Sequence, residues 1–174
     1  NRIENSNLRE DPDESSELYS DMGYFDEVLL QQIDNYLGTD GPDTLIVLHT
    51  LGSHGPAYGR RYPSRFGVFK PFCTRPSPTD WTAEEVANAY DNTIVYDAYV
   101  LRQLIQKLQA RSDEIDTFLF YASDHGESLG ENGVYLHGLP YSIAPAAQKN
   151  VPFILWSSDG FRKYGARNPQ LIAD

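Results

Sequence analysis

The sequence predicts an α/β domain with a largely parallel sheet. Two observations carry that expectation. Apolar runs of strand length recur at Thr44–His49, Thr117–Tyr121 and Val151–Trp156, each bounded by Gly, Pro, Ser or Asp. Between the first two, residues 82–109 repeat apolar side chains at helical spacing. Strands alternating with long helices build parallel sheets, and such sheets place their ligands at the carboxyl ends of the strands.

The elements follow in order. Residues 1–20 are polar and acidic, carry Pro12, and read as an exposed loop. Asp21 is a candidate cap for a helix over 26–37, with Val28, Leu29, Ile33, Tyr36 and Leu37 on one side and Gly38 at its end. Gly41-Pro42 turns the chain into Thr44-Leu-Ile-Val-Leu-His49, a β-branched apolar run expected to be buried on both faces. His49, inside that run, reads as a core histidine. Residues 51–79 hold Arg60, Arg61, Arg65, Lys70 and Arg75, five prolines and no acidic residue. This is an irregular surface excursion, mostly a solvated basic loop; the sharper alternative is a docking patch for anionic lipid headgroups. Thr82-Ala-Glu-Glu85 is a capping-box signature for the long helix. On that helix Asp91, Asn92 and Asp97 read as structural. The central strand then ends at Ser123-Asp124-His125-Gly126, and a glycine-rich loop leads to His137 and Gly138. Pro152 stands at the start of the last apolar run, where a missing N–H is tolerated.

Composition bounds the function classes. The chain of 174 residues is 40% hydrophobic and has 12 tyrosines, which suits one folded domain. Residues 1–43 carry 12 acidic and 2 basic side chains, the remainder 13 and 12, so the net charge of −11 sits almost wholly at the amino-terminal end. This balance argues against a nucleic acid as partner, since phosphate backbones need basic faces. No apolar run approaches the roughly 20 residues that span a bilayer. The chain begins at Asn1 rather than Met and reads as a fragment. Cys73 is the single cysteine and cannot form an internal disulfide.

All four histidines fall in three segments: Leu48–Pro56, Tyr121–Gly130 and Glu131–Gly138. A carboxylate beside an imidazole at a strand end, as in Asp124-His125, is half of a divalent metal site that zinc accepts. His54 lies in a loop where Gly52 and Gly55 permit close ligand approach. Glu127 either orients a metal-bound histidine or caps a helix. Ser53 lacks a Gly-x-Ser-x-Gly elbow and reads as structural rather than nucleophilic.

Four motifs in sequence order carry a resemblance: His49-Thr-Leu-Gly-Ser-His-Gly-Pro56, Tyr90-Asp-Asn-Thr-Ile-Val-Tyr96, Ser123-Asp-His-Gly-Glu-Ser-Leu-Gly-Glu-Asn-Gly133 and Tyr135-Leu-His-Gly-Leu-Pro-Tyr141. Together they resemble the alkaline phosphatase/sulfatase superfamily, and more narrowly the lipid A phosphoethanolamine transferases, the polymyxin-resistance enzymes among them. The resemblance implies a sheet sandwiched by helices, incomplete here, with residues 1–174 forming part of a periplasmic catalytic domain: an acidic segment over 1–43 and the core motifs over 44–174. It implies zinc (Zn2+) held by Asp124 and His125. His54 and His137 would contact the phosphoryl group, protonate the leaving alcohol, or hold a second metal, with Glu127 behind the ligands. The remaining ligands, a glutamate and the nucleophilic threonine, match nothing in this chain, and neither Thr50 nor Thr93 is assigned that role. The isolated chain is therefore expected to be inactive and to bind zinc weakly. The implied donor is phosphatidylethanolamine, the acceptor a lipid A phosphate, and the location the periplasmic face of the bacterial inner membrane, through an amino-terminal anchor outside this chain. Relatives carry a disulfide near Cys73; here that thiol either pairs outside the chain or the bridge is lost. The alternatives are a sulfatase-like or phosphatase-like hydrolase, a transferase to another glycan acceptor and, from another class, a non-catalytic domain.

Overall fold

The computed structural model describes residues 16–167 except 32, 39–42, 76, 78 and 79. Of the loop expected over 1–20, residues 1–15 lie outside the described residues, as do the Gly41-Pro42 turn and the residues beyond 167, and its end at Tyr19–Ser20 is a strand rather than loop. A small hairpin opens the described chain, with β1 (Tyr19–Ser20) paired to β2 (Gly23–Tyr24). Asp21 lies in its turn and pairs with Arg60, so it does not cap a helix. The expected helix over 26–37 is instead two short 3-10 segments, Asp26–Leu30 and Ile33–Asn35. Phe25 precedes the first of them and provides no side-chain cap. Leu30 and Ile33 still turn inward.

The spine is α1 (Ala83–Ala110). Its start is the expected capping box: Thr82 Oγ1 accepts the Glu85 N–H at 3.2 Å, and Glu85 Oε2 accepts the Thr82 N–H at 2.9 Å. Three apolar clusters form along it. Tyr96 and Val100 pack with Leu30 and Tyr62; Val86 and Ala89 pack with Tyr58 and Trp81; Leu108 packs with Leu37 and Leu119. Fully burying a side chain the size of Val86 stabilises the fold by about 1.5–3 kcal/mol. Asn92 is fully buried beside these clusters. Its Oδ1 accepts the Val68 and Phe69 N–H groups, and its Nδ2 donates to Tyr62 Oη and the Phe69 carbonyl. All four of its hydrogen-bonding positions are used, which makes it the anchor of the basic excursion.

That excursion is less of a surface loop than its composition implies. Ala57, Tyr58 and Tyr62 are buried. Arg60 and Arg65 pair with Asp21 and Glu27, and Arg61 Nε donates to the His54 carbonyl. The basic loop is thus folded onto the acidic segment that precedes it.

After α1 come β3 (Phe118–Ala122), β4 (Ser128–Leu129), β5 (Tyr135–Leu136), the single turn α2 (Ala146–Lys149), β6 (Phe153–Ser157) and α3 (Asp159–Arg167). The α/β class stands, and the expected strands at 117–121 and 151–156 are present within two residues. Strand direction differs from the expected parallel sheet: β3–β6 and β4–β5 are antiparallel, as is β1–β2, and these are the strand pairs among the described residues. A parallel return needs a crossover long enough to run back beside the sheet. Between β3 and β6 the chain instead forms a hairpin and one helical turn, and β6 re-enters from the end at which β3 finished.

Residues 44–49 form no strand. Ile46 and Leu48 pack inward, whereas Leu45 and Val47 are 88% and 79% exposed. The expected burial on both faces is therefore absent, because apolar partners contact one face only. His49 is exposed with that outer face and is not a core histidine. Phe118 and Phe120 of β3 alternate in the same way, whereas Phe153, Ile154 and Leu155 of β6 are exposed in succession.

A candidate metal and phosphoryl-transfer centre

Three loops converge at the site. The first, residues 50–55, carries His54. Asp26 holds its backbone from across the chain, with Oδ1 accepting the Leu51 N–H at 2.9 Å and Oδ2 the Gly52 N–H at 2.8 Å. Gly52 has φ +53°, in the left-handed region that glycine enters without steric cost. Ser53 Oγ lies 2.8 Å from Asp97 Oδ2 on α1.

The second loop follows β3 and carries Asp124 and His125. Ser123 Oγ donates to the His125 carbonyl at 2.7 Å. The Gly126 N–H donates to the Gln148 carbonyl at 3.1 Å. A Cβ on Gly126 would stand 1.9 Å from the Ala147 carbonyl oxygen, so only glycine lets this loop lie against α2. The third segment leaves β5 through Leu136, at φ 64°, and carries His137. A branched side chain in that region is strained, and the strain sits immediately before a site residue.

The loops bring His54, His125 and His137 together, with one ring nitrogen from each within 4.8 Å of the others. His125 and His137 stack at 3.8 Å between centroids, and His54 meets His137 edge-on at 4.7 Å. Every Nδ1 is engaged: that of His54 with the Gly55 carbonyl at 2.7 Å, that of His125 with the Gly126 carbonyl at 3.0 Å, and that of His137 with Glu127 Oε1 at 3.0 Å. Carbonyl and carboxylate oxygens only accept, so each Nδ1 carries the proton and each Nε2 is left as the ligating or proton-carrying atom. This donor set fits zinc, which takes neutral imidazole nitrogens whose other nitrogen is hydrogen-bonded.

Asp124 is adjacent to this group but outside it. Its Oδ1 is 3.8 Å from His125 Nε2, and its side chain is 84% exposed. Two ligands of one tetrahedral zinc, at about 2.0–2.1 Å each, stand roughly 3.4 Å apart. The Asp124–His125 pair is near that spacing with its carboxylate open to solvent. Glu127 is buried and caps no helix: Oε1 accepts from the Gly55 N–H at 3.1 Å, Oε2 from Tyr58 Oη at 3.0 Å, and His137 completes the set. Burial first, and then the Glu127 charge, push the Tyr58 hydroxyl far above the usual tyrosine range, which keeps it a donor.

Sequence reading did not single out Asp26, Tyr58, Arg61, Asp97 or Gln148 as supports of the site. Their separations from the site residues they hold run from 7 to 69 positions, and no local pattern ties such residues together.

Comparison with known proteins matches the whole chain, residues 1–174, to the sulfatase family model. The phosphoethanolamine transferase EptA of Escherichia coli K12 is 50% identical over 139 residues, covering 80% of this chain and 25% of its own length. The soluble domain of lipooligosaccharide phosphoethanolamine transferase A from Neisseria meningitidis superposes with a TM-score of 0.81 at 40% identity, covering 86% of this chain and 44% of that one. The integral membrane form of that transferase superposes equally well, with 28% of its chain covered. The chain thus spans about a quarter of the length of the curated relatives it matches.

Proposed function

Since the chain belongs to the sulfatase family, we propose that the protein containing it transfers phosphoethanolamine from phosphatidylethanolamine to a lipid A phosphate. The convergence of three Nδ1-anchored histidines beside Asp124 supports this reading most directly. Asp124 and His125 would hold zinc, together with ligands outside this chain. Zinc bound there supplies positive charge against the phosphoryl oxygens and activates a coordinated hydroxyl.

The chain's own residues supply the rest. His54 and His137 face the transferred group through Nε2. Protonated, they donate to its oxygens, and His137 delivers its Nε2 proton to the leaving alcohol. The Glu127 carboxylate accepts the His137 Nδ1–H and fixes the orientation of the ring during that transfer. The nucleophile is a threonine outside residues 1–174; its attack leaves diacylglycerol and a covalent intermediate, so the reaction is two-step. The location is the periplasmic face of the inner membrane. No described helix is long and apolar enough to cross a membrane, and the anchor would lie outside this chain. Polymyxin resistance would follow from the added cationic headgroup.

The test is the mass spectrum of lipid A from a Gram-negative host expressing the full-length protein, beside an Asp124→Ala control. The expected result is a phosphoethanolamine adduct that disappears in the control. An unmodified spectrum from well-expressed protein overturns the acceptor and favours hydrolase chemistry.

A further inference from the structure

Behind His54, oxygen atoms follow one another in a line from α1 into the site loop. Asp97 Oδ2 is 2.8 Å from Ser53 Oγ; Ser53 Oγ is 2.6 Å from Thr93 Oγ1; Thr93 Oγ1 is 2.6 Å from the Tyr90 carbonyl oxygen. Oxygens this close share a hydrogen. Ser53 and Thr93 bring one each, because a hydroxyl has a single donor. Three contacts need three protons, and the third is available only from Asp97. If Asp97 is ionised, Thr93 donates to Ser53 and Ser53 to Asp97. Thr93 Oγ1 then faces the Tyr90 carbonyl at 2.6 Å with no proton between them. If Asp97 is neutral, it donates to Ser53, Ser53 to Thr93 and Thr93 to Tyr90, and every contact is satisfied.

We propose that Asp97 is a positioning residue: as a neutral acid it donates to Ser53 and locks the loop carrying His54 in register with His125 and His137. Among the described residues, the titratable groups that face it are all acids. They are Asp26, from the 3-10 segment that clamps Leu51 and Gly52; Tyr90, from its own helix; and Tyr121, from β3. Burial, opposed in part by the Ser53 contact and helped by the Asp26 charge, raises the Asp97 carboxyl to about 6. The neutral form therefore persists to mildly acidic pH, and the loop loosens above it. The catalytic consequence, though not the proton placement, rests on the transferase reading.

The experiment uses the full-length protein with Asp97→Asn and Ser53→Ala variants. Infrared difference spectra between wild type and Asp97→Asn are recorded from about pH 5 to about pH 8. The expected result is a protonated carboxylic C=O band in wild type at low pH that disappears with a midpoint near pH 6 and shifts in Ser53→Ala. Absence of the band throughout means an ionised Asp97 and overturns the proposal. Transfer activity is followed over the same range. Wild type is expected to fall roughly tenfold further than Asp97→Asn as pH rises, the lower end of what a misplaced site group costs. Coincident pH profiles for the two proteins also overturn the proposal. A titrating band in a protein with no transferase activity would instead fault the transferase reading and leave the placement of the proton intact.

Discussion

The Glu127 carboxylate ties two of the three histidine segments together: its Oε1 lies 3.0 Å from His137 Nδ1 and 3.1 Å from the Gly55 nitrogen, next to His54. With Tyr58 on the other oxygen it accepts three protons and offers none. Glu127→Gln replaces one acceptor with an amide donor and cannot serve all three partners. Zinc affinity of the full-length protein should fall about 10–100-fold, and stability by about 1–3 kcal/mol. Chelator competition and urea unfolding measure the two effects; unchanged affinity would separate Glu127 from the proposed centre.

On the proposed reading, part of the zinc's ligand set lies outside residues 1–174. In the full-length protein, chelation should abolish transfer and added zinc restore it, with His125→Ala refractory to rescue. The chain by itself should bind zinc weakly. Nanomolar affinity in a dye-competition assay would mean that the three histidines and Asp124 suffice, and that no outside ligand is needed.

Gly126→Ala forces a methyl group to within 1.9 Å of the Ala147 carbonyl oxygen, which is backbone and cannot swing away. We expect a loss of about 1–3 kcal/mol or more, seen as a lower Tm, with disturbed His125 geometry. Gly38 has nothing within 4 Å of the corresponding position, so Gly38→Ala serves as a near-neutral control.

Asp97 also sets a stability trend. Its folded-state carboxyl is raised from 3.8 to about 6, chiefly by burial. A raised carboxyl contributes stability below its unfolded value and loses it as pH rises through the folded value. Wild type should therefore weaken between about pH 4 and about pH 6 and level off above. Each unit corresponds to about 1.36 kcal/mol, so Asp97→Asn should gain up to about 3 kcal/mol over wild type near neutral pH. Urea unfolding at several pH values checks this; a constant difference between the two proteins would refute it.

Much of the framework was legible because its causes are local. Thr82 and Glu85 are three residues apart and cap α1 by direct contact. The apolar period of α1 and the runs at 117–121 and 151–156 announce themselves within a dozen residues. The run at 44–49 misled for the opposite reason: its composition is that of a buried strand, but burial depends on what packs over Leu45 and Val47. Pairing direction was equally hidden. It depends on the path between β3 and β6, and hydrophobic periodicity carries no record of that path.

By itself, the sequence determined the chemical cast: histidines confined to three glycine-bearing segments, a carboxylate next to one of them, and a long capped helix between the first and second. Those are properties of neighbours along the chain. Tertiary structure alone decided that one ring nitrogen of each of the three histidines lies within 4.8 Å of the others, that Glu127 engages His137 Nδ1, and that Asp26, Asp97 and Glu127 hold the loops. The hydrogen bonds through which Asp26, Asp97 and Glu127 hold the loops join residues from 10 to 72 positions apart. They exist only once the clusters along α1 have packed and removed the freedom of the loops between them.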